Sequence, residues 1–486
     1  MTRGTVLPRA GQEAGLVVGM EPVPASEWPA SKYVYVMLAA GSVSLLALGV
    51  GSPLGQAALV AVVAGFAFGL LVLWRPEFGV LLIVLFVPFE TYGALGEGFS
   101  TITKIIGVFT LAALVPHLLR GRSGHLGNAA FWLAVAFATW SMLTLIGSPH
   151  PEWAWPRVLT RFQLVGLMFL VLNACATKEQ LAALCWLLLF AAAAASVAAF
   201  FLTPRVVQEM GRVTVGAVNI NEHAKNLIGG ILVTPFLMRR SGAKGRLVAG
   251  LAALVVLVGI VMTGSRSTYL AVAVGAVVAA AVYRPFSLPA RTLLVIFVAA
   301  FLVLFVYIGF ASGLFDASLG ERTADAWRRG LESGGRIRLW RAAVQVGMEH
   351  PFMGIGAAQF RLVSQQYGAR QAVVHNDLLA HFAETGIPGL GLYVAFLIAV
   401  FRTAWRVTDE GLRAVLVGLV AAAFTSSLAN PSHNMKSFWL QMGLCILGGV
   451  LYAPQGRGGE TAAVAEGSGL LTRADAGSPV PMDHRV

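Results

Sequence analysis

Residues 375 to 390 read His375-Asn376-Asp377-Leu378-Leu379-Ala380-His381-Phe382-Ala383-Glu384-Thr385-Gly386-Ile387-Pro388-Gly389-Leu390, and this polar passage runs directly into an apolar segment of membrane-spanning length. Asn376 is a good N-cap and Asp377 falls in the first turn of the helix that follows, which leaves His375 just outside a helix N-terminus. The positive end of the helix dipole disfavours an imidazolium there. Asp377, His381 and Glu384 repeat at i, i+4, i+7, so the helix presents a polar side to a cavity. Gly386 and Gly389 mark its end, and Pro388 stands where a new helix can begin.

The rest of the chain repeats the second half of that pattern. Of 486 residues, 57% are hydrophobic and only 12% charged, about half the charged share of a soluble globule. The expectation is an all-α, polytopic integral membrane protein. Apolar runs stand at 33–51, 54–74, 78–95, 99–119, 128–147, 158–175 and 181–203, then at 223–238, 247–264, 268–283, 290–315, 386–404, 411–429 and 436–453. Several are shorter than the roughly 20 residues of a full crossing, so about 12 to 14 transmembrane helices are expected. Residues 1–31 and 454–486 read as disordered cytoplasmic tails, 32–315 and 386–453 as transmembrane regions, and 316–385 as the long loop.

Loop charge supports this order. With the N-terminus inside, Arg75, Arg120, Arg122, Lys178, Arg239, Arg240, Arg284, Arg402 and Arg413 all fall on the inner side, and the long loop with His375 falls on the outer. The net charge of +12 is scattered in short patches between apolar runs, which excludes a nucleic-acid reader. Cys175, Cys185 and Cys445 have neither metal-ligand nor disulfide spacing.

Some cations break the inside rule. Lys104, Arg161 and Arg266 lie within or at the outer end of proposed helices, where a charge usually has an anionic partner. Snorkelling, or pairing with Glu90, Glu97 or Glu222, accounts for any single one; the set points to an outward-facing anion site. In the long loop, Arg338, Arg341, Gln345 and Glu349 lie opposite Ile337, Trp340, Val344 and Met348, the pattern of an amphipathic helix at a membrane surface. Gly354-Ile355-Gly356 reads as a turn only. Asp377, His381 and Glu384 either form a metal cluster or, as helix faces more often do, hold none. Asn219, Asn221 and His223 either bind sugar hydroxyls or cap a helix, capping being the commoner use.

Gly335-Arg336, Trp340, His350-Pro351, Gly354-Ile355-Gly356, Phe360 and His375-Asn376 followed after nine residues by Gly386-Ile387-Pro388-Gly389 resemble the O-antigen ligase and O-antigen polymerase superfamily of bacterial envelope enzymes. Thr103-Lys104, Asn219-Ile220-Asn221-Glu222-His223 and Ser265-Arg266-Ser267 look like the same family, and the resemblance spans roughly 100 to 450. It implies a multi-pass protein of the bacterial inner membrane with its long loop in the periplasm. It also implies transfer of a glycan from an undecaprenyl-pyrophosphate-linked donor to an acceptor hydroxyl, with no cofactor and no metal. His375 would be the base, Arg266 and Arg336 the family-matched ligands of the diphosphate, Glu384 the matching acid. Lys104, Arg161, Arg338 and Asn376 would add to substrate binding. The implied reaction is a single inverting step, because guanidinium forks suit phosphate oxygens and the loop has no Asp-x-Asp pair for a metal. The acceptor, a lipid A core or surface glycan for a ligase and a second lipid-linked glycan for a polymerase, is open, with ligase type the first expectation. The implied partners are the lipid-linked donor, the acceptor, the bilayer and a chain-length regulator, and no nucleic acid. A lipid-linked glycan flippase is the alternative from another class; the internal repeats and mid-membrane charges it would require are not seen.

Overall fold

The computed structural model describes residues 65–89 except 66, then 102–119, 127–203, 213–215, 219–283 and 335–453, with isolated positions at 289, 292 and 296. Among these residues all regular structure is helical. The helices are α1 (Glu77–Phe86), α2 (Ile102–Leu119), α3 (Ala129–Leu143), α4 (Pro151–Ala174), α5 (Lys178–Leu202), α6 (Ile220–Arg240), α7 (Ala243–Thr263), α8 (Arg266–Val282), α9 (Gly335–Glu349), α10 (Phe360–Val363), α11 (Asp377–Trp405), α12 (Glu410–Ser427) and α13 (Lys436–Leu451). The apolar run at 33–51, that at 290–315 apart from positions 292 and 296, and both tails lie outside the described residues, as do 316–334 of the long loop.

Six of these helices, α2, α4, α5, α7, α11 and α12, are long and apolar enough to cross a membrane, and α1, α3, α8 and α13 are shorter apolar helices. The chain is an all-α polytopic membrane protein. Its outward surface agrees: α7 exposes Leu247, Leu251, Leu254 and Val258 along one face, an apolar stripe that water would not tolerate and lipid accepts.

Local chemistry starts the helices where the sequence changes from polar to apolar. Asn128, Thr177, Asn219, Asn376 and Asp409 each accept a backbone N–H from the first turn of α3, α5, α6, α11 and α12, and Gln180 completes a capping box with Thr177. Small residues then bring the helices together. Gly275 of α8 and Gly418 of α12 face each other's carbonyl oxygens so closely that any side chain at either would have to displace backbone. Gly230 of α6 sits on the Leu188 carbonyl of α5 in the same way.

One apolar core runs through the spanning helices, and a separate small one lies under the loop, formed by Leu339, Ala342, Ala343, Val346, Ile355, Phe360, Ala369, Val374, Ala380 and Ala383. The loop therefore carries its own core. On α9, Leu339, Ala342, Ala343 and Val346 turn inward onto this core, while Val344 and Met348 of the expected apolar stripe are exposed. The reason is close approach, since Gly347 meets the Phe382 ring and only small residues beside it allow α9 to lie against α11.

Helix α11 is two helices joined at Gly386, whose φ of 68° and ψ of −170° leave the helical region. A side chain there would collide with the Phe352 carbonyl, so both conformation and space require glycine. Two carbonyls freed at the break are recaptured by the Gly354-Ile355-Gly356 turn, Ile355 N–H donating to Ala383 O (3.0 Å) and Gly356 N–H to Glu384 O (3.0 Å), while the freed Ile387 N–H donates to Pro351 O (2.7 Å).

Candidate functional site

The joint at Gly386 and the N-cap at Asn376 bracket the half-helix 377–385, and the polar side of that half-helix organises the site. Asp377, in the first turn, is fully buried. Its carboxylate accepts from Ser432 N (3.0 and 3.1 Å), His433 N (3.1 Å), Tyr393 Oη (3.2 Å) and His433 Nδ1 (2.8 Å). It clasps the 430–435 turn between α12 and α13 to the start of α11. Because Nδ1 of His433 donates to a carboxylate, its Nε2 faces the Arg161 guanidinium as an acceptor, at 3.5 Å.

Arg161 is only 1% exposed and is spent inward. It donates to Ser141 Oγ (2.6 Å), pairs with Glu384 (3.8 Å) and lies over the Phe137 ring at 5.4 Å. Glu384 is equally occupied, accepting from Ala358 N (2.9 Å) and Phe360 N (3.4 Å). That bond holds Ala358 at a φ of 61°, unusual for a residue with a side chain. The geometry gives Arg161 and Glu384 the work of bracing the loop on the spanning helices. His381 fills a box of Phe137, Tyr393 and His433 rings, with both nitrogens buried and without hydrogen-bond partners. The His381, Asp377 and Glu384 face is thus divided among three separate jobs. Among the described residues no group of three His, Cys, Asp or Glu side chains is placed to hold a metal.

His375 stands above this buried layer, outside the spanning segments. Its φ of 57° is left-handed, a strained conformation for histidine that the neighbouring cap fixes. Asn376 caps α11 by accepting from Leu379 N at 3.1 Å. Burial, then the positive charges of Arg336, Arg370 and Lys225, push the His375 imidazole below its ordinary value, and a hydrogen bond with Asn430 acts the other way. Nδ1 of His375 is buried without a hydrogen-bond partner. Asn430 also donates to Ser267 Oγ (2.8 Å), which places the neighbour of Arg266 beside the His375 ring's partner. Arg336 in turn is held below its usual range by partial burial and by the charges of Arg266 and Arg370. Arg336, Arg370 and Lys225 thus bear on His375, and Arg266 bears in turn on Arg336.

The other residues expected at the site sort as follows. Asn219 caps α6, accepting from Asn221 N (2.9 Å), and Asn221 accepts from Ser265 Oγ (2.9 Å). Arg338 is exposed on α9 and is not among the cations felt by His375 or Arg336. Lys104 lines a membrane-level cavity between α2 and α4.

Sequence reasoning missed Asn430, His433, Arg370 and Lys225. Lys225, whose Nζ donates to Pro431 O (2.6 Å), was detectable as a lysine inside an apolar run. Asn430-Pro431-Ser432-His433-Asn434 was detectable as a polar turn on the same side as the loop. Arg370 has no local signal.

The charge of Arg370 opposes protonation of His375, so its removal raises the imidazole pKa. Arg370→Gln is expected to move the His375 titration to higher pH, as histidine NMR would read it. A titration that stays in place would detach Arg370 from His375.

A family model described as O-Antigen ligase matches residues 251–394, a segment holding Arg266, Arg336, His375 and Glu384. That match supports the O-antigen ligase and polymerase superfamily read from the sequence motifs. A search of curated proteins gives no match.

Proposed function

We propose, with the O-antigen ligase match as premise, that this protein is a metal-independent, inverting glycan ligase of the bacterial inner membrane, its site facing the periplasm. The donor is an undecaprenyl-pyrophosphate-linked glycan and the acceptor a sugar hydroxyl, as on a lipid A core. The arrangement that carries this reading is His375 at the cap of α11, its imidazole held below the ordinary value by burial and by the charges of Arg336, Arg370 and Lys225, with Arg266 acting on Arg336.

Transfer from a diphosphate makes two demands, and the site has a group for each. His375 takes the proton of the acceptor hydroxyl as its oxygen attacks the anomeric carbon. The bond from that carbon to the diphosphate oxygen breaks, the configuration inverts, and undecaprenyl pyrophosphate leaves with the electron pair. Arg266 and Arg336, with Arg370 beside them, neutralise the charge that develops on the diphosphate. The same cations that bind the leaving group keep the base unprotonated. Glu384 and Arg161, braced as described, hold the loop that carries Arg336 and Arg370 over the spanning helices.

The test is transfer by purified protein in liposomes, given the lipid-pyrophosphate glycan with and without a separate core acceptor. A glycosylated core, formed equally well with a chelator present, is expected. Longer lipid-linked chains as the only product would replace ligase by polymerase. Movement of the donor across the bilayer without joining would replace both by a transporter, and strict dependence on a divalent ion would remove the metal-free mechanism.

A further inference from the structure

Between α2 and α4 lies a cavity of about 560 Å³ lined by Ile83, Gly107, Val108, Phe109, Leu167 and Leu170 among others, almost all apolar. Its polar lining is confined to Thr103, Lys104, Gln163 and Lys436. Thr103 and Lys104 are in the first turn of α2, and Lys436 is the first residue of α13 and donates to Thr103 Oγ1 at 2.6 Å. The two lysines thus stand at one end of the cavity, and the other end runs about two turns down α2 between hydrocarbon walls. Such a division of chemistry suits an amphiphile with an anionic head and an apolar tail.

We propose that this groove is the seat of the donor's polyisoprenoid chain, with Lys104 and Lys436 on the phosphate next to the lipid. The inference rests on the lipid-linked donor of the preceding section. Its volume, in the range that encloses a drug-sized molecule, takes the part of a long chain nearest the head and leaves the rest in the bilayer. Connectivity brings the groove to the site. Lys436 directly follows the 430–435 turn, whose Asn430 meets His375 and Ser267 and whose Ser432 and His433 are held by Asp377. A lipid phosphate on Lys436 is therefore read by the segment that also steadies the base. Two lysines suit this position, since each supplies a point charge to the non-bridging oxygens of the lipid-linked phosphate, whereas the outer phosphate is left to the arginine forks.

The walls offer a clean way to block the groove. A Cβ at Gly166 meets nothing within 4 Å, and one at Gly107 meets only Leu170 and Ile83 at 3.8 and 3.9 Å. Gly166→Phe fills the space without forcing the backbone. The experiment uses the full chain in phosphatidylethanolamine and phosphatidylglycerol vesicles with undecaprenyl phosphate carrying a diazirine in its first isoprene units. Light is expected to attach it within 103–111 and 162–170, and Gly166→Phe to abolish that attachment. Lys104→Gln with Lys436→Gln should weaken undecaprenyl phosphate by about tenfold or more and leave the neutral undecaprenol unchanged. Attachment elsewhere, equal labelling of Gly166→Phe, or equal competition by excess phosphatidylglycerol overturns the assignment. Failure here with glycan transfer intact removes only the groove; labelling as expected with no transfer removes the ligase reading and keeps the lipid site.

Discussion

His375→Ala, assayed in liposomes with the lipid-pyrophosphate glycan and its acceptor, is expected to lower kcat by about 10²- to 10⁴-fold, the usual worth of a positioned general base. KM for the donor should change little, because the proposed mechanism gives the diphosphate to Arg266, Arg336 and Arg370, which the substitution leaves in place. Folding should survive, since His375 lies outside the helix it precedes and its Nδ1 has no bond to lose. Replacing a left-handed histidine by alanine keeps the same strain, so a large loss of activity cannot be assigned to the backbone. A variant that retains full transfer would remove His375 from the mechanism.

The largest expected effect on stability belongs to Asp377→Ala. Four groups donate to this buried carboxylate: the N–H groups of Ser432 and His433, His433 Nδ1 and Tyr393 Oη. With the acceptor gone they stay buried and unsatisfied, at about 3 to 5 kcal/mol in total. Asp377→Asn keeps an oxygen for the Ser432 N–H but turns an amine on the remaining donors, and should fall between alanine and wild type. Denaturant unfolding in detergent, followed by loss of tryptophan signal, measures both; the Trp439 indole donates to His433 O at 2.8 Å and reports on the same turn. An Asp377→Ala protein within about 1 kcal/mol of wild type would mean the 430–435 turn is held by other contacts.

What could be read in the sequence was what periodicity and caps control. The apolar runs that fall wholly among the described residues are helices, and the spacing Gly386-Ile387-Pro388-Gly389 marked the break in α11 before its geometry was known. Asn376 and Asn219 cap as their types suggest. The site was half legible. His375, Arg266 and Arg336 stand out through motif and position, whereas Asp377 and Asn430 take their meaning from partners about fifty residues away or more, and no local pattern encodes such a pairing. Arg161 shows the converse difficulty: as a charge in an apolar run it pointed to a ligand, and packing gave it Ser141, Glu384 and His433 instead. The inward face of α9 was not legible, because Ala342, Ala343 and Gly347 count for little in apolarity and for much in how closely two helices approach.

The clasp between Asp377 and the 430–435 turn also sets the size of the unit that can be exchanged. The long loop moved from one such protein into another would arrive with its half-helix but without the turn that completes it, leaving a buried acid facing foreign backbone. A working chimera must therefore carry two pieces of chain, 335–390 and 429–436, chosen from the same parent.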